Sequence, residues 1–482
     1  MNGTREATTG PELQRVLGSR QVRMIGLGGA IGTGLFLGSG LALSMAGPSV
    51  IIAYAAGAVL ALALAYALAE MTVVHPRAGG FGAVAHTYLG PWAGFVQRWM
   101  YWVAQVVNIG SEVTAAGMYV RFWWPQLPLW VPVVFFSVAM LLVNAASVRF
   151  FGEFEYWFAM IKIVTISVFV LLGIAFITVG LPGSDPVGLA AWTGDGGFAP
   201  GGITGLWLAM TVVTFGYMGT EAVALTAAES RDPARDIPRA ARGMVLRLAL
   251  FYVLAMAIVV SIVPLAGRDE GGVGGSPFVQ LFVTAGIPGA VAVMNFVVLT
   301  AALSAMNTNL YVSARMVHSL AKDGYAPRRL TALNAKGAPV NALLFSAAGL
   351  TLATVLAVVA PDTAFALLVG IATFGALVTW LLIFATQWAF RRTRQARGLE
   401  PSPIRLPGTP VTTALAMLAV VAVLVTMAFT EQFAPALYFG IPFLVLLLAA
   451  YGVLHRRRAA RANPAVHRTT LELSTMREIS DS

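Results

Sequence analysis

The chain has 482 residues, of which 58% are hydrophobic and only 11% charged, with a net charge of +10 and no cysteine. A soluble globular chain carries about 25% charged residues to cover its core with a wet surface, so a soluble globular protein is excluded. The lack of cysteine excludes disulfide frameworks, thiolate metal sites, Fe–S clusters and catalytic thiols. The apolar residues come in runs of about 20, the length that spans a hydrocarbon core, and they predict an all-α polytopic membrane protein.

Residues 1–22 read as a polar cytoplasmic N-terminal segment, and no cleaved signal peptide is expected because an apolar core for one is missing. Apolar runs punctuated by Gly, Pro and charge then predict twelve transmembrane helices, at 23–43, 49–71, 92–120, 130–148, 156–180, 203–228, 244–266, 280–308, 340–360, 364–386, 411–430 and 435–454. The first contains GLGGAIGTGLF, with Gly26, Gly28, Gly29, Gly32 and Gly34. Each Gly costs a helix about 1 kcal/mol relative to Ala, so this run suits a broken helix. Small residues also serve close helix packing in membranes, and the string alone leaves that alternative open. Span three carries Glu112 in VVNIGSEVTAAG, and span five carries Lys162 in FAMIKIVTISV. Span six carries TFGYMGTEAV (214–223), with Gly216 and Gly219 near its middle and Glu221 just beyond. Gly-Thr occurs in both strings, at Gly32-Thr33 and Gly219-Thr220.

The two glycine strings lie five spans apart. Because five is odd, a repeated unit of five enters the membrane with inverted orientation. The division that follows is a first five-helix repeat at 23–180, a second, inverted one at 203–386, helices 11 and 12 at 411–454, and a cytoplasmic tail at 455–482. Interrupted helices in matching places of two inverted halves point to the binding site of a secondary transporter. Free N–H groups at a half-helix N-terminus suit a carboxylate, and free carbonyls at a half-helix C-terminus suit an ammonium. Such a site reads both charges of an amino acid without a charged side chain.

Charge fixes the expected orientation. With the N-terminus inside, 28 of the 31 Lys and Arg residues fall on one side, against Arg121 and Arg268 opposite and Lys162 within a span. The opposite side carries Asp185, Asp195, Asp269, Glu270, Asp362 and Glu431. Cationic loops stay in the cytoplasm, so both termini are expected there, and the +10 reports topology rather than nucleic-acid affinity. Glu112, Lys162 and Glu221 would be costly in lipid and are expected to face the bundle interior as proton-coupling or gating groups. Structural ion pairing is the alternative reading for the two glutamates. Lys162 can stand in for a bound cation or accept a proton. Glu70, Glu153, Glu155 and Glu229, near cytoplasmic ends, are expected to be interfacial, and Trp92, Trp99, Trp102, Trp123, Trp124 and Trp130 to act mostly as belt anchors. Phe215 and Tyr217 are candidate pocket walls or gate residues. No cofactor or metal site is expected: the histidines are scattered, and no span offers a nucleophile–base pair.

Several strings resemble the bacterial amino acid transporter branch of the amino acid–polyamine–organocation superfamily. They are MIGLGGAIGTGLFLGSG (24–40), GPWAGF (90–95), FGEFEYWFAMIK (151–162), GTEAVALTAAESRDPARDIPRA (219–240) and VVLTAALSAMNTNLYVSARM (297–316). The resemblance implies twelve spans in a five-plus-five inverted repeat, with discontinuous helices 1 and 6, and proton-coupled amino acid uptake. It places the α-carboxylate on the N–H groups around Gly32, Thr33 and Gly34. The α-amino group falls to the carbonyls of Ala30, Ile31, Phe215 and Met218, with Gly219 in the same break. It gives Glu221 a role in proton coupling and gating, puts Lys162 where related transporters have a sodium site, and matches Glu112 to a common span-three glutamate. Departures are Asn307-Thr308-Asn309 in span eight, which bears on selectivity or pocket volume, and Ala69-Glu70-Met71 in place of Gly-Glu-Met, which bears on packing. The expected partners are an amino acid, a proton and the lipid bilayer. Rival readings are an exchanger, a sodium-coupled carrier or a 4-aminobutyrate-type permease on the same scaffold, and a receptor or channel without coupled transport. Oligomeric state is left open.

Overall fold

The computed structural model describes residues 17–462 except 77–78, 147, 181–184, 195, 263–275, 285, 287–288, 336, 362 and 432. Arg268, Asp195, Asp269, Glu270 and Asp362, invoked above for topology, lie outside the described residues, as do the start of the N-terminal segment and the end of the tail.

The described residues are helical, with a lone bridge between Leu17 and Ser230. In chain order the first helices are α1 (Ser19–Ala30), α2 (Thr33–Phe36), α3 (Gly38–Ala46), α4 (Val50–Val74), α5 (Gly80–Tyr88) and α6 (Pro91–Val120). Next come α7 (Trp130–Ala146), α8 (Val148–Thr178), α9 (Gly202–Gly216), α10 (Ala222–Leu225), α11 (Pro233–Ile262) and α12 (Pro277–Thr284). The last are α13 (Ala290–Lys322), α14 (Val340–Ser346), α15 (Ala348–Val359), α16 (Ala364–Ala396), α17 (Val411–Met427) and α18 (Ala434–Ala462).

Among the described residues, seven stretches are long and apolar enough to cross a membrane, and α7, α9 and α17 are shorter apolar helices. One of the seven, Gly38–Val74, joins α3 to α4 and is interrupted at Gly47, whose φ is +58°. Helix α6 is 30 residues long but less apolar, and its polar Arg98, Gln105, Asn108 and Glu112 are all buried inside the protein. Several helices outrun the apolar runs that predict them. Helices α11, α13 and α16 carry Arg235, Arg315 and Arg391 on turns read from sequence as loop. A helix satisfies its own backbone wherever it ends, so the first charge marks the edge of the lipid rather than the end of the helix.

The interior is built on α6, which packs against α13, α15 and α16, while α1 packs against α8, α11 and α13. Burial follows that order: the apolar window of the α13 span is 78% buried within the protein and that of the α18 span only 11%. The outer helices accordingly present Leu, Val and Phe outward, as a lipid-facing surface requires.

The basic segments gather at one end. The Leu17 N–H donates to Glu229 O (3.0 Å) and the Arg231 N–H to Leu17 O (3.1 Å). Asp236 accepts the hydroxyls of Ser19 and Ser230. Arg98 pairs with Asp323 at 2.6 Å, and Arg458 donates to the carbonyls of Asp323 and Gly324. Glu229 pairs with Arg315 at 2.6 Å and Glu70 with Arg391 at 2.5 Å. These contacts enclose Glu70 and Glu229 within the protein at that end. Both are buried, because each carboxylate is matched by a guanidinium that shares its desolvated site. Glu153 is half-exposed, with its side chain 45% exposed and paired with Arg20.

Candidate functional site

The first glycine string breaks its helix where the sequence predicts. Helix α1 ends at Ala30, Ile31 leaves the helical region (φ −87°, ψ 89°), Gly32 is extended (φ −124°, ψ −156°), and α2 starts at Thr33. The second string breaks between α9, which ends at Gly216, and α10, which starts at Ala222, with Gly219 at φ +92°. The glycines also let the two breaks touch. A Cβ on Gly34 would lie 2.7 Å from the Gly216 Cα, and one on Gly219 would overlap the Gly29 carbonyl oxygen. Packing and helix breaking, open alternatives from sequence, therefore operate together at these residues.

Buried polar side chains service the exposed ends. Lys162 Nζ donates to Gly28 O and Ile31 O, both at 2.6 Å. The Tyr252 hydroxyl lies 2.7 Å from Ala30 O and 3.0 Å from Gly216 O, so one phenol faces the carbonyl ends of both first half-helices. At the opposite pole, the Thr33 N–H points at the Glu112 carboxylate, 3.4 Å from Oε1 and 3.3 Å from Oε2. Across the second break, Glu221 Oε1 accepts from the Gly219 N–H (3.2 Å) and Gln105 Nε2 (3.3 Å). A carboxylate at a half-helix N-terminus and an ammonium on half-helix carbonyls are the placements that the helix dipole favours.

Of the predicted residues, Ala30, Ile31, Gly32, Thr33 and Gly34 meet Phe215 and Gly219 in one buried region, with Glu112 and Lys162 at its two poles. Met218 is buried in the second break, where its N–H closes a turn on Phe215 O at 3.0 Å. The carbonyls of Ala30 and Ile31, read as acceptors for an α-amino group, are already engaged by Tyr252 and Lys162. Tyr217 is buried in the second break, and its hydroxyl donates to Tyr54 O at 2.9 Å. Trp102 is not a belt anchor, since its Nε1 donates to Ser346 Oγ (2.9 Å) and its ring stacks on Phe345.

Two residues escaped the sequence reading. Tyr252 is a polar group within the apolar FYVLAMAI run, a weak signal. Glu155, read as interfacial, is fully buried and accepts from the Ser304 hydroxyl and from Asn307 Nδ2 (3.1 Å). Its signal was available, because it precedes Lys162 by seven residues and so shares a helix face with it. Asn307 also accepts from Asn144 Nδ2 at 2.7 Å, so it links α7 to the Glu155 carboxylate.

Residues 21–463 match the amino acid permease family over nearly the whole chain. The chain belongs to that family. The gamma-aminobutyric acid permease of Bacillus subtilis (strain 168) is 38% identical to this permease over 455 residues, 94% of this chain and 96% of the relative. The aromatic amino acid transport protein of Escherichia coli (strain K12) is 36% identical over 455 residues, 94% and 98% of the two chains. A probable threonine/serine transporter of Bacillus subtilis (strain 168) is 36% identical over 453 residues, 94% and 97%. The protein is thus a multi-pass membrane permease of the amino acid class and not an enzyme, and its bacterial relatives imply the cytoplasmic membrane.

Proposed function

We propose that this permease imports an amino acid by proton symport with alternating access, through twelve spans arranged as two inverted five-helix repeats, with both termini in the cytoplasm. The observation that carries the proposal is the pairing at the breaks. Glu112 sits on the Thr33 N–H and Lys162 on the carbonyls of Gly28 and Ile31. The protein's own carboxylate and ammonium occupy ends suited to the two charges of an amino acid, so a substrate enters by exchanging with them. The α-carboxylate replaces Glu112 at Gly32, Thr33 and Gly34, and the α-amino group is taken up by the carbonyls of Ala30, Ile31, Phe215 and Met218 beside Gly219. The closed contacts of the basic end support a resting form shut towards the cytoplasm. The clustering there of the 17–23, 229–236, 315–324 and 391–406 segments with Arg458 supports their lying on one side of the membrane.

Proton coupling rests on Glu112, Lys162 and Glu221, which are buried away from lipid. The ammonium of Lys162 fills the position where a sodium-coupled carrier would hold its ion. The deciding experiment is uptake into proteoliposomes, driven in turn by an inward proton gradient and an inward Na⁺ gradient. Labelled 4-aminobutyrate, threonine, phenylalanine and histidine serve as probes. Accumulation with the proton gradient alone is expected, and Glu221→Gln is expected to lose it. Accumulation with Na⁺ alone would refute the coupling.

A further inference from the structure

Glu155 lies outside the proton-coupling set above, yet it completes a linear arrangement with two of its members. Counted along α1 away from the basic end, Glu155 lies against Gly28, where a Cβ would overlap its Oε1. Lys162 follows on Gly28 O and Ile31 O, and Glu112 comes next on Gly32 and Thr33. Two turns of α8, about 10 Å of backbone, set Glu155 nearer the basic end than Lys162, while both side chains converge on Gly28. Glu155 is 0% exposed and Glu112 only 3%. The four ion pairs within 4.0 Å among the described residues use Glu153, Asp323, Glu229 and Glu70, which leaves Glu112 and Glu155 without a guanidinium or ammonium at contact distance. Lys162 between them is the cation they share.

The groups around Glu155 add no second positive charge within contact. Its own helix gives Lys162 and, at the exposed end, Glu153 paired with Arg20. Helix α13 gives Ser304 and Asn307, with Arg315 held by Glu229 further along. Helix α7 gives Asn144, behind Asn307. Helix α11 gives Tyr252, which is directed to Ala30 O and Gly216 O, and α1 presents Gly28. Two buried carboxylates with one ammonium carry a net charge of −1 when both are ionised. An uncompensated charge is strongly disfavoured in such an interior, so the cluster is neutral with one proton added.

We infer that Glu155 is the inner station of the transported proton: the proton enters on Glu112, passes to Glu155 on the far side of Lys162, and leaves towards the basic end of the protein. The balance is one proton. Glu112 as carboxylic acid with Glu155 as carboxylate becomes Glu112 as carboxylate with Glu155 as carboxylic acid, and Lys162 begins and ends as an ammonium. The Ser304 hydroxyl and the Asn307 amide hold the Glu155 carboxylate in place. Substrate arrival links to the same step, because an α-carboxylate taking the Thr33 N–H displaces Glu112 from that donor and so favours its protonated form. This assignment rests on the proton-symport reading above.

The test compares wild type with Glu155→Gln in proteoliposomes, using whichever of the four labelled probes the wild type accumulates. One proton per substrate and an inward gradient of about one pH unit sustain about tenfold accumulation. Glu155→Gln is expected to fall to no accumulation above the external concentration. It is also expected to retain counterflow, the exchange of labelled for unlabelled substrate without a gradient, because substrate contacts are untouched. Glu155→Asp should recover part of the accumulation. Undiminished accumulation by Glu155→Gln would overturn the assignment. So would loss of counterflow in a variant that remains monodisperse and keeps its unfolding temperature, since that marks a role in substrate handling instead. Failure of the wild type itself to respond to the proton gradient removes the symport reading, and the assignment with it.

Discussion

Removing a single hydroxyl tests whether the two broken helices are tied to one another. Tyr252→Phe keeps the ring, which packs edge-on to Tyr54 at 6.0 Å and against Tyr217 at 4.9 Å between centroids. It deletes an O–H lying 2.7 Å from Ala30 O and 3.0 Å from Gly216 O. One hydrogen serves two acceptors, so the loss is bounded by a single buried unsatisfied group, about 1–3 kcal/mol. If the tie exists only while the breaks are closed on each other, that energy falls on the equilibrium between closed and open forms. At about 1.4 kcal/mol the open form becomes about tenfold more populated. The chain has no cysteine, so a single reporter thiol has no background. Ala305→Cys is a suitable reporter, because Ala305 is buried and its Cβ lies 2.9 Å from where a Gly32 Cβ would sit. The rate of thiol modification by a membrane-impermeant reagent should rise about tenfold in the Tyr252→Phe background. A rate within about twofold of the parent, in correctly folded protein, would refute the idea that this hydroxyl holds the breaks together.

Four further substitutions separate other elements of the fold by thermal unfolding in detergent. Gly219→Ala forces a Cβ onto the Gly29 carbonyl at a φ of +92° and should cost at least about 1–3 kcal/mol with loss of uptake. Gly243→Ala, on α11 with nothing within 4 Å of the new Cβ, should be neutral or stabilise by up to about 1 kcal/mol. Arg315→Met leaves the Glu229 carboxylate buried without its partner and should cost about 3–5 kcal/mol, most of it recovered in the Arg315→Met, Glu229→Met double variant. Trp102→Phe keeps the stacking on Phe345 but strands the Ser346 hydroxyl, and should cost about 1 kcal/mol; an unchanged unfolding temperature would return Trp102 to the role of a belt residue.

The amino-acid sequence by itself determined the membrane class, the position of both helix breaks and the presence of charge inside the bundle. Each of these is a local or compositional property. Glycine strings weaken a helix wherever it packs, apolar length is set by the thickness of the bilayer, and a charge within an apolar run has to turn away from lipid. Helix ends were less legible, because α13 and α16 continue past the first arginine through turns that ion pairs bury. The tertiary structure alone decided which partner each charge takes. Lys162 meets the carbonyl of Gly28 from 134 positions away, and Tyr252 meets that of Ala30 from 222. Glu155, near the start of its helix, looked interfacial until the packing of α1 and α13 enclosed it. Hydrogen-bond partners are chosen by which helix faces meet, and no periodicity along one chain segment encodes the rotation of its neighbours.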